Sequence, residues 1–524
     1  MTMHPAVAAL SPEIVLSLGA VCCLFLGMSR RRGVREATPT AALLGLAASL
    51  CCAAWLELQR QDAVVSLVRD NDPLLWYVRL LTAGMGVLIV LVNRHVPADA
   101  ERGEYFCLLL FSLVGLTLTA AADDLLLLFL AIELVSVPTY ILIGLSRTNP
   151  AVQEATVKYF FLGAFAAALT LYGFSFLYGA AGTTAMTVAD ESRRSIEAAL
   201  SQASPGDLMV RMGLLLALSG LAFKIAAVPF HFYVADVYQG AASPVSGMLG
   251  FVPKLAGFVA LIRILDLTGW RHDATLFWLL WALAAATMTA GNTLALMQRQ
   301  NVKRVLAYSS IAHSGYMLLA LLAGPGGSVG LGMESPLRNG VAALLFYIVI
   351  YGLMNLGAFA ALAFFRSRAT GEPVETFDDL SAAARERPWA AGSLAVCALG
   401  LMGLPPTAGM LGKLYLFSSA LSSPEGAAWR GPLIVLVVIG VINAAIGAVY
   451  YLRIASACML GERRDDVPSP TSCDALRMGL LASAVLVIAA FIWPGPLLRQ
   501  AQQAAARFHA RSVTMAAQSG VVER

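Results

Sequence analysis

Lysine is rare in this sequence, and most of its lysines lie where a charge is costly. Lysine and arginine together number 36 among 524 residues, but just five of these are lysine. Four lysines lie inside apolar segments, at Lys158, Lys224, Lys254 and Lys413. Arginine keeps its proton in proteins, whereas a lysine removed from water can release its proton and take it up again. This placement predicts amines that take part in proton transfer.

The energetic cost of these positions supports the same interpretation. A charged lysine near the centre of a bilayer costs about 2.5–3.5 kcal/mol on insertion scales. The alternative to proton transfer is that the aliphatic part of each lysine side chain lies in the apolar region while its amine reaches the membrane surface. That alternative fits Lys303, which lies at a span end beside Arg304. For the other four lysines together we favour a role in proton transfer.

A carboxylate lies at a similar depth. Glu133 interrupts the apolar run Leu125–Val135, and Lys158 lies near the start of the next apolar segment. We expect Lys158 to contact Glu133 from the neighbouring helix. An ion pair keeps both groups charged, and its separation makes each neutral form easier to reach. A static structural ion pair is the alternative.

Two histidines are candidate relay residues. His231 follows Pro229, and His313 lies among hydroxyl side chains in the run Tyr308–Tyr316. Histidine titrates near neutral pH, so each could pass a proton along. Each could equally be a packing residue whose hydrogen bonds are satisfied.

The elements that must position these groups are apolar helices. The sequence is 58% hydrophobic and 13% charged, with a mean hydropathy of +0.73. Its apolar runs are each about 20 residues long, enough to cross a bilayer as a helix, and they number about 14. We therefore predict an all-α integral membrane protein surrounded by lipid.

Several classes of function are excluded by composition and motifs. A net charge of +4 without a large basic block gives no support for nucleic acid binding. The eight cysteines show no metal-binding spacing. The sequence also lacks the glycine-rich motifs of nucleotide sites. We expect no cofactor and no metal in this chain.

Two spans carry a break beside a lysine. The seventh span is interrupted at Pro229 after Lys224, and the twelfth at Pro405 and Pro406 before Lys413. Interrupted helices at matching places in two halves indicate an inverted repeat around a transport path. The alternative is a proline that only kinks a packed helix.

The basic residues predict the orientation in the membrane. Loops on one side collect roughly twice as many basic residues as loops on the other, including Arg30–Arg32 and Arg147. We expect that side to face the cytoplasm and both termini to lie outside. The basic C-terminal tail argues against this orientation. The predicted regions are residues 1–100 with three spans, 101–270 and 271–465 with one repeat each, and 466–524 with the last span and tail.

At these positions the chain resembles the antiporter-like membrane subunits of NADH–quinone oxidoreductase (respiratory complex I), most of all subunit N. The resemblance covers roughly residues 75–460. Its motifs are Ala131–Tyr140, Phe223–His231, Asp236–Ala241, Lys303–His313, Leu353–Phe359 and Gly403–Lys413. The chain departs from many relatives at Tyr233 and Ala235, and in Gly240–Pro244. These departures affect the seventh-to-eighth connection and leave the titratable groups untouched.

The resemblance implies a fold and a set of residue roles. The fold would be about 14 helices with two inverted five-helix repeats. Glu133 and Lys158 would form the coupling switch, and Lys224 would accept protons from the cytoplasm. Lys254, with His231 and His313, would carry protons laterally, and Lys413 would deliver them outward. FMN, iron–sulfur clusters and quinone would belong to partner subunits, and the location would be the bacterial inner membrane.

Other functions share these motifs. The chain could belong to a multi-subunit sodium/proton antiporter or to a proton-pumping membrane hydrogenase. It could also be a passive scaffold whose lysines are assembly contacts. The partner proteins separate the first two functions from complex I, and a lysine-to-arginine variant separates the third.

Overall fold

The computed structural model describes residues 5–58, 72–187, 194–203, 207–268, 274–325, 338–366, 373–381, 383–422, 428–461 and 473–518. These residues form α-helices, one short 3-10 helix and three isolated β-bridges. Among the described residues, 11 helical segments are long and apolar enough to cross a membrane. The prediction of an all-α protein with many membrane spans is confirmed.

An N-terminal group of helices packs through small residues. Gly19 of one helix approaches Gly45 of another so closely that a Cβ atom on Gly19 would lie 3.1 Å from the Gly45 Cα. Such contacts between small residues are a common way for helices to associate in membranes. A buried ion pair, Arg79 with Glu13 at 2.7 Å, adds a polar link. The helices are α1 (Pro5–Ala9), α2 (Ser11–Gly27), α3 (Arg32–Glu36), α4 (Thr38–Leu58) and α5 (Pro73–Asn93).

The next group carries most of the predicted site. The Asp124 side chain caps the helix that holds Glu133, accepting from the Leu126 and Leu127 amides. Asn149 caps the helix that holds Lys158 in the same way, which satisfies amides that the first helical turn leaves free. The helices are α6 (Arg102–Ala121), α7 (Leu125–Gly144), α8 (Pro150–Ala181), α9 (Ile196–Gln202), α10 (Leu208–Lys224), α11 (Val234–Gly240), α12 (Ser243–Leu249) and α13 (Val252–Leu267).

The last group completes the bundle. Within it, α14 packs along α15, and α16 contacts α19, α20 and α22. The helices are α14 (Ala274–Met297), α15 (Val302–Ala323), α16 (Gly340–Phe364), α17 (Phe377–Leu380), α18 (Ala383–Glu386), α19 (Pro388–Met402), α20 (Ala408–Leu421), α21 (Arg430–Leu460), α22 (Asp474–Ile492) and α23 (Gly495–Gln518).

Burial separates central helices from peripheral ones. Every residue of α13 and of α16 is buried. By contrast, α8 exposes large apolar side chains, with Phe161 65% and Phe165 60% accessible. Exposed apolar surface of this kind is stable in contact with lipid tails. The central helices α13, α15 and α16 therefore provide the protected interior in which charged groups can be held.

Both helix breaks fall beside an amine. Helix α10 ends at Lys224, and the chain then passes through Ala226 with a φ of 59° and a cis Val228–Pro229 bond before α11 begins. Helix α19 ends at Met402, Gly403 follows with a φ of 91°, and a cis Pro405–Pro406 bond precedes α20. Proline lacks an N–H and disfavours a helical residue before it, so neither helix continues through its break.

The C-terminal region differs from a simple tail. Helix α23 follows α22 and buries Ala501, Ala504 and Phe508 where it packs on α5 and α16. Arg507 reaches Asp72, at the start of α5, at 3.0 Å. The predicted boundary at 100/101 falls between α5 and α6. The predicted boundaries at 270/271 and 465/466 lie outside the described residues.

Candidate functional site

The central ion pair of the site joins α7 to the broken end of α10. The Lys224 Nζ lies 2.9 Å from Glu133 Oε1, and their side chains are 5% and 20% exposed. Lys224 also donates to the Ser136 hydroxyl at 2.6 Å. Ser136 lies one helical turn beyond Glu133, so both acceptors project from the same face of α7. The amine therefore has a charged and an uncharged acceptor within reach.

Lys158 does not take the predicted position. Its Nζ contacts Asp236 Oδ2 at 2.8 Å and Glu154 Oε1 at 2.6 Å, and its side chain is 40% exposed. The predicted contact between Glu133 and Lys158 is therefore wrong. The reason is geometric, because Lys158 lies on an outward face of α8 while Lys224 at the end of α10 occupies the space beside Glu133.

A cavity connects Lys224 to the next amine. It has a volume of about 10 Å³, enough for one water molecule. Three tyrosines line it together with both amines, as do apolar side chains of α11. Its full lining is Tyr159, Lys224, Ala226, Tyr233, Val234, Val237, Tyr238, Leu249, Pro253 and Lys254.

Lys254 has uncharged partners. Its Nζ donates to the Ser310 hydroxyl at 2.7 Å and to the Ser310 carbonyl at 2.5 Å. It also lies 4.8 Å from the centre of the Tyr351 ring, and Tyr351 donates to the Ser310 hydroxyl at 2.8 Å. The amine is thus held by dipoles and an aromatic face, both of which attract a cation.

His313 lies between two phenols. Its Nδ1 is 2.6 Å from the Tyr347 hydroxyl and its Nε2 is 2.8 Å from the Tyr451 hydroxyl. The Tyr451 hydroxyl is in turn 2.5 Å from Ser309 Oγ. A neutral imidazole donates from one nitrogen and accepts at the other, so this arrangement can exchange a proton between its two sides.

Lys413 is held at the second break. Its Nζ donates to the Met402 carbonyl at 2.8 Å and lies 5.2 Å from the centre of the Tyr316 ring. The Tyr316 hydroxyl is 3.1 Å from the Asn292 amide nitrogen, and Tyr450 donates to Asn292 Oδ1 at 2.9 Å. Lys413 therefore sits beside a further group of polar side chains.

The remaining expectations concern His231, Lys303 and metal binding. His231 lies in the first break and is partly exposed, and none of its described contacts joins it to Lys224 or Lys254. The expectation that Lys303 reaches the membrane surface is wrong, because its side chain is fully buried. Among the described residues, no group of three or more His, Cys, Asp or Glu could hold a metal ion.

Several site residues could not be singled out from the sequence. Ser136 had a visible signal, since it lies one turn from Glu133, but serine is common in such helices. Tyr347 and Tyr451 had none, because they come from α16 and α21 and are 34 and 138 residues from His313. Buried amines, hydroxyls and an imidazole form a set of groups that can pass protons among themselves.

Comparison with known proteins gives the family. A family described as NADH:quinone oxidoreductase/Mrp antiporter, TM matches residues 122–447. The chain belongs to this antiporter-like family. The matched part contains Glu133, Lys224, Lys254 and Lys413.

Individual relatives agree with this assignment. The chain is 38% identical over 444 residues to a Trichlorobacter lovleyi protein named NADH-quinone oxidoreductase subunit N, with 84% of each chain covered. It resembles a chain of respiratory complex I from Thermus thermophilus with a TM-score of 0.73 at 30% identity, covering 93% of this chain and 98% of that one. The predicted resemblance to the antiporter-like subunits, and to subunit N among them, is confirmed.

A structural likeness also extends to an antiporter complex. A chain of the Mrp complex from Dietzia sp. DQ12-45-1b superimposes with a TM-score of 0.78 at 21% identity, covering 98% of this chain and 99% of that one. At this identity the likeness shows a shared antiporter-like fold alone.

Proposed function

We propose that this chain is a proton-translocating membrane subunit of an NADH–quinone oxidoreductase. The observation that carries the proposal is the Lys224–Glu133 pair at 2.9 Å, which opens onto a cavity that also contains Lys254. The relatives named subunit N support the assignment to this complex rather than to an antiporter or a hydrogenase.

In the proposed path Lys224 accepts a proton from the cytoplasmic side. Glu133 holds the charged amine, and separation of the pair lets Lys224 pass its proton through the cavity to Lys254. The switch assigned to Glu133 and Lys158 from the resemblance thus passes to Glu133 and Lys224. Lys158 contributes at the cytoplasmic mouth through its contact with Asp236.

The second half of the path runs from Lys254 to Lys413. Lys254 passes protons through Ser310 and water towards His313, which relays them between its two tyrosine partners. Lys413 then delivers them to the outer side. His231, in the first break, is a second candidate relay.

The driving energy comes from electron transfer in partner subunits, which carry FMN, iron–sulfur clusters and quinone. Moving one proton against about 100 mV requires roughly 2.3 kcal/mol. The proposed direct partners are neighbouring antiporter-like subunits and small membrane subunits of the complex, and lipid covers the remaining apolar surface.

The proposed topology follows from the helix order. We count α10 with α11, α19 with α20, and α12 with α13 as one span each. With α2 included, this gives about 14 spans of bilayer length. Residues 101–270 and 271–465 then form two inverted repeats, each with one broken helix. Both termini lie on the outer side of a bacterial inner membrane.

The variant Lys224→Arg tests the function. Arginine retains the charge beside Glu133 but keeps its proton, so we expect the complex to assemble and to lose roughly 10²-fold in pumping. The measurement is protons translocated per NADH oxidised in vesicles containing the whole complex.

The matched control is Arg79→Lys, which alters a buried ion pair with Glu13 outside the path. It should assemble and pump as the unaltered complex does. Normal pumping by Lys224→Arg would overturn the proposal and favour a scaffold.

A further inference from the structure

The short helix α11 presents two different faces. Val234, Val237 and Tyr238 line the cavity between Lys224 and Lys254. Asp236 and Gln239 project from the opposite side, as the helical repeat requires. A helix of seven residues is not stable alone, so the contacts of its second face decide where it sits.

The carboxylate of Asp236 is held by two cations from two other helices. Lys158 of α8 reaches its Oδ2 at 2.8 Å, and Arg304 of α15 reaches its Oδ1 at 3.0 Å. Arg304 also donates to the Gln239 side chain at 2.7 Å. The outer face of α11 is therefore joined to α8 and α15 by charged contacts.

The C-terminal end of α11 is held by a buried amine. Lys303 donates to the carbonyls of Gln239 at 2.8 Å and Ala241 at 2.6 Å. These carbonyls lie at the helix end, where a cation is favourable. Glu375 lies 3.5 Å from the same amine and also pairs with Arg147 at 2.7 Å.

The packing of α11 is close as well. A Cβ atom on Gly240 would lie 2.6 Å from the Ala155 Cβ and 2.9 Å from the Ala151 carbonyl. Glycine permits this approach, and α11 lies directly against the first turns of α8. The Gly240 contact and the Asp236 ion pairs therefore act on the same short helix.

We infer that Asp236 and Lys303 are positioning residues that hold α11 as the wall between the Lys224–Lys254 cavity and the cytoplasmic side. Release of their contacts lets α11 move and opens the cavity to water from that side. The inference rests on the proposed function, since it assigns the control of proton uptake at the same site. The contacts of Asp236 suit this role because its side chain is 35% exposed, and ion pairs that water reaches are readily broken.

The test measures side-specific access to the cavity. The reporter is Val237→Cys in the whole complex, because Val237 lines the cavity. Inverted membrane vesicles expose the cytoplasmic face, and a membrane-impermeant maleimide is added to them. Mass spectrometry quantifies the label on the peptide that contains position 237, which separates it from the natural cysteines.

We expect slow labelling with Asp236 in place and labelling about three- to tenfold faster with Asp236→Asn. The conservative Asp236→Glu should restore slow labelling. The matched control is Glu154→Gln, which removes the other carboxylate of Lys158 but leaves both contacts of Asp236, and it should not change the rate.

Equal labelling with Asp236 and with Asp236→Asn would overturn the inference, as would an equal increase from both sides of the membrane. If Asp236→Asn does not assemble, Arg304→Gln decides in the same way, because it removes one of the two cations. A failure of the proposed function can be distinguished from a failure of this inference. Normal pumping by Lys224→Arg would refute the proton path through Lys224. Unchanged labelling of position 237 would refute the role of α11 as a wall of the cavity.

Discussion

The backbone groups left free at the two helix breaks are hydrogen-bonded in different ways. At the first break, their partners are the hydroxyls of three side chains. Tyr233 donates to the Phe223 carbonyl at 2.9 Å, Ser314 donates to the Ile225 carbonyl at 2.5 Å, and Thr287 accepts from the Val228 amide at 3.0 Å. At the second break, the Thr407 hydroxyl donates to the Leu404 carbonyl at 2.5 Å, and Lys413 itself donates to the Met402 carbonyl at 2.8 Å.

At the first break, the groups that stabilise the backbone are separate from the charged amine. At the second break, the charged amine is itself one of the stabilising groups. Because hydroxyls stabilise the first break, Lys224 is not needed for that purpose, and its amine bonds to the side chains of Glu133 and Ser136 instead. In the proposed path Lys413 has two tasks, since the amine that would carry the proton also satisfies a carbonyl at the end of α19. A change at position 413 should therefore affect assembly and pumping, and a change at position 224 should affect pumping alone.

The largest effect is expected for Lys413→Met. It removes the proposed proton carrier and leaves the Met402 carbonyl without this donor, at a cost of about 1–3 kcal/mol. We expect less assembled complex and roughly 10²-fold less pumping, measured by native gels and by protons per NADH. Lys413→Arg is the control, because it keeps a donor and should restore assembly without pumping. Full assembly of Lys413→Met would show that the break does not need the lysine.

A smaller effect is expected for Glu133→Gln. Ser136 still accepts from Lys224 at 2.6 Å, so the amine stays in place and the complex should assemble normally. Loss of the carboxylate removes the charged partner, and we expect pumping to fall by about tenfold. Loss of assembly in Glu133→Gln, as expected for Lys413→Met, would contradict the distinction between the two helix breaks.

The smallest effect is expected for Thr287→Val. It removes the acceptor of the Val228 amide and so loosens the first break by about 0.5–1.5 kcal/mol. We expect pumping to fall by about two- to fivefold with assembly unchanged. Thr119→Val is the matched control, since the buried Thr119 hydroxyl donates to the Gly115 carbonyl of its own helix. Equal losses from both variants would argue against a special role for Thr287.

Much of the site could be predicted from the sequence because charge in an apolar run is rare. Lys224, Lys254, Lys413 and Glu133 stand out for that reason alone. The helix breaks were visible through their prolines, and the apolar runs indicated the membrane spans.

The partners could not be predicted, because they depend on which faces meet. Consecutive helices α7 and α8 do pack together, yet Lys158 faces outward and contacts Asp236 of α11. Lys303 is at a span end in the sequence, but α11 folds over it and buries its amine. Neither fact follows from hydropathy, which reports depth in the membrane and not direction around the helix axis.

The central claim is that a buried amine at position 224 must be able to lose its proton. The direct test is chemical restoration of that amine in Lys224→Cys. Alkylation of the thiol with bromoethylamine gives a side chain of nearly lysine length with a titratable amine, and the unaltered complex treated in parallel controls for other cysteines. We predict that protons per NADH return with the aminoethyl group and stay low in Lys224→Arg. Equal pumping by Lys224→Arg and the aminoethylated variant would contradict the account.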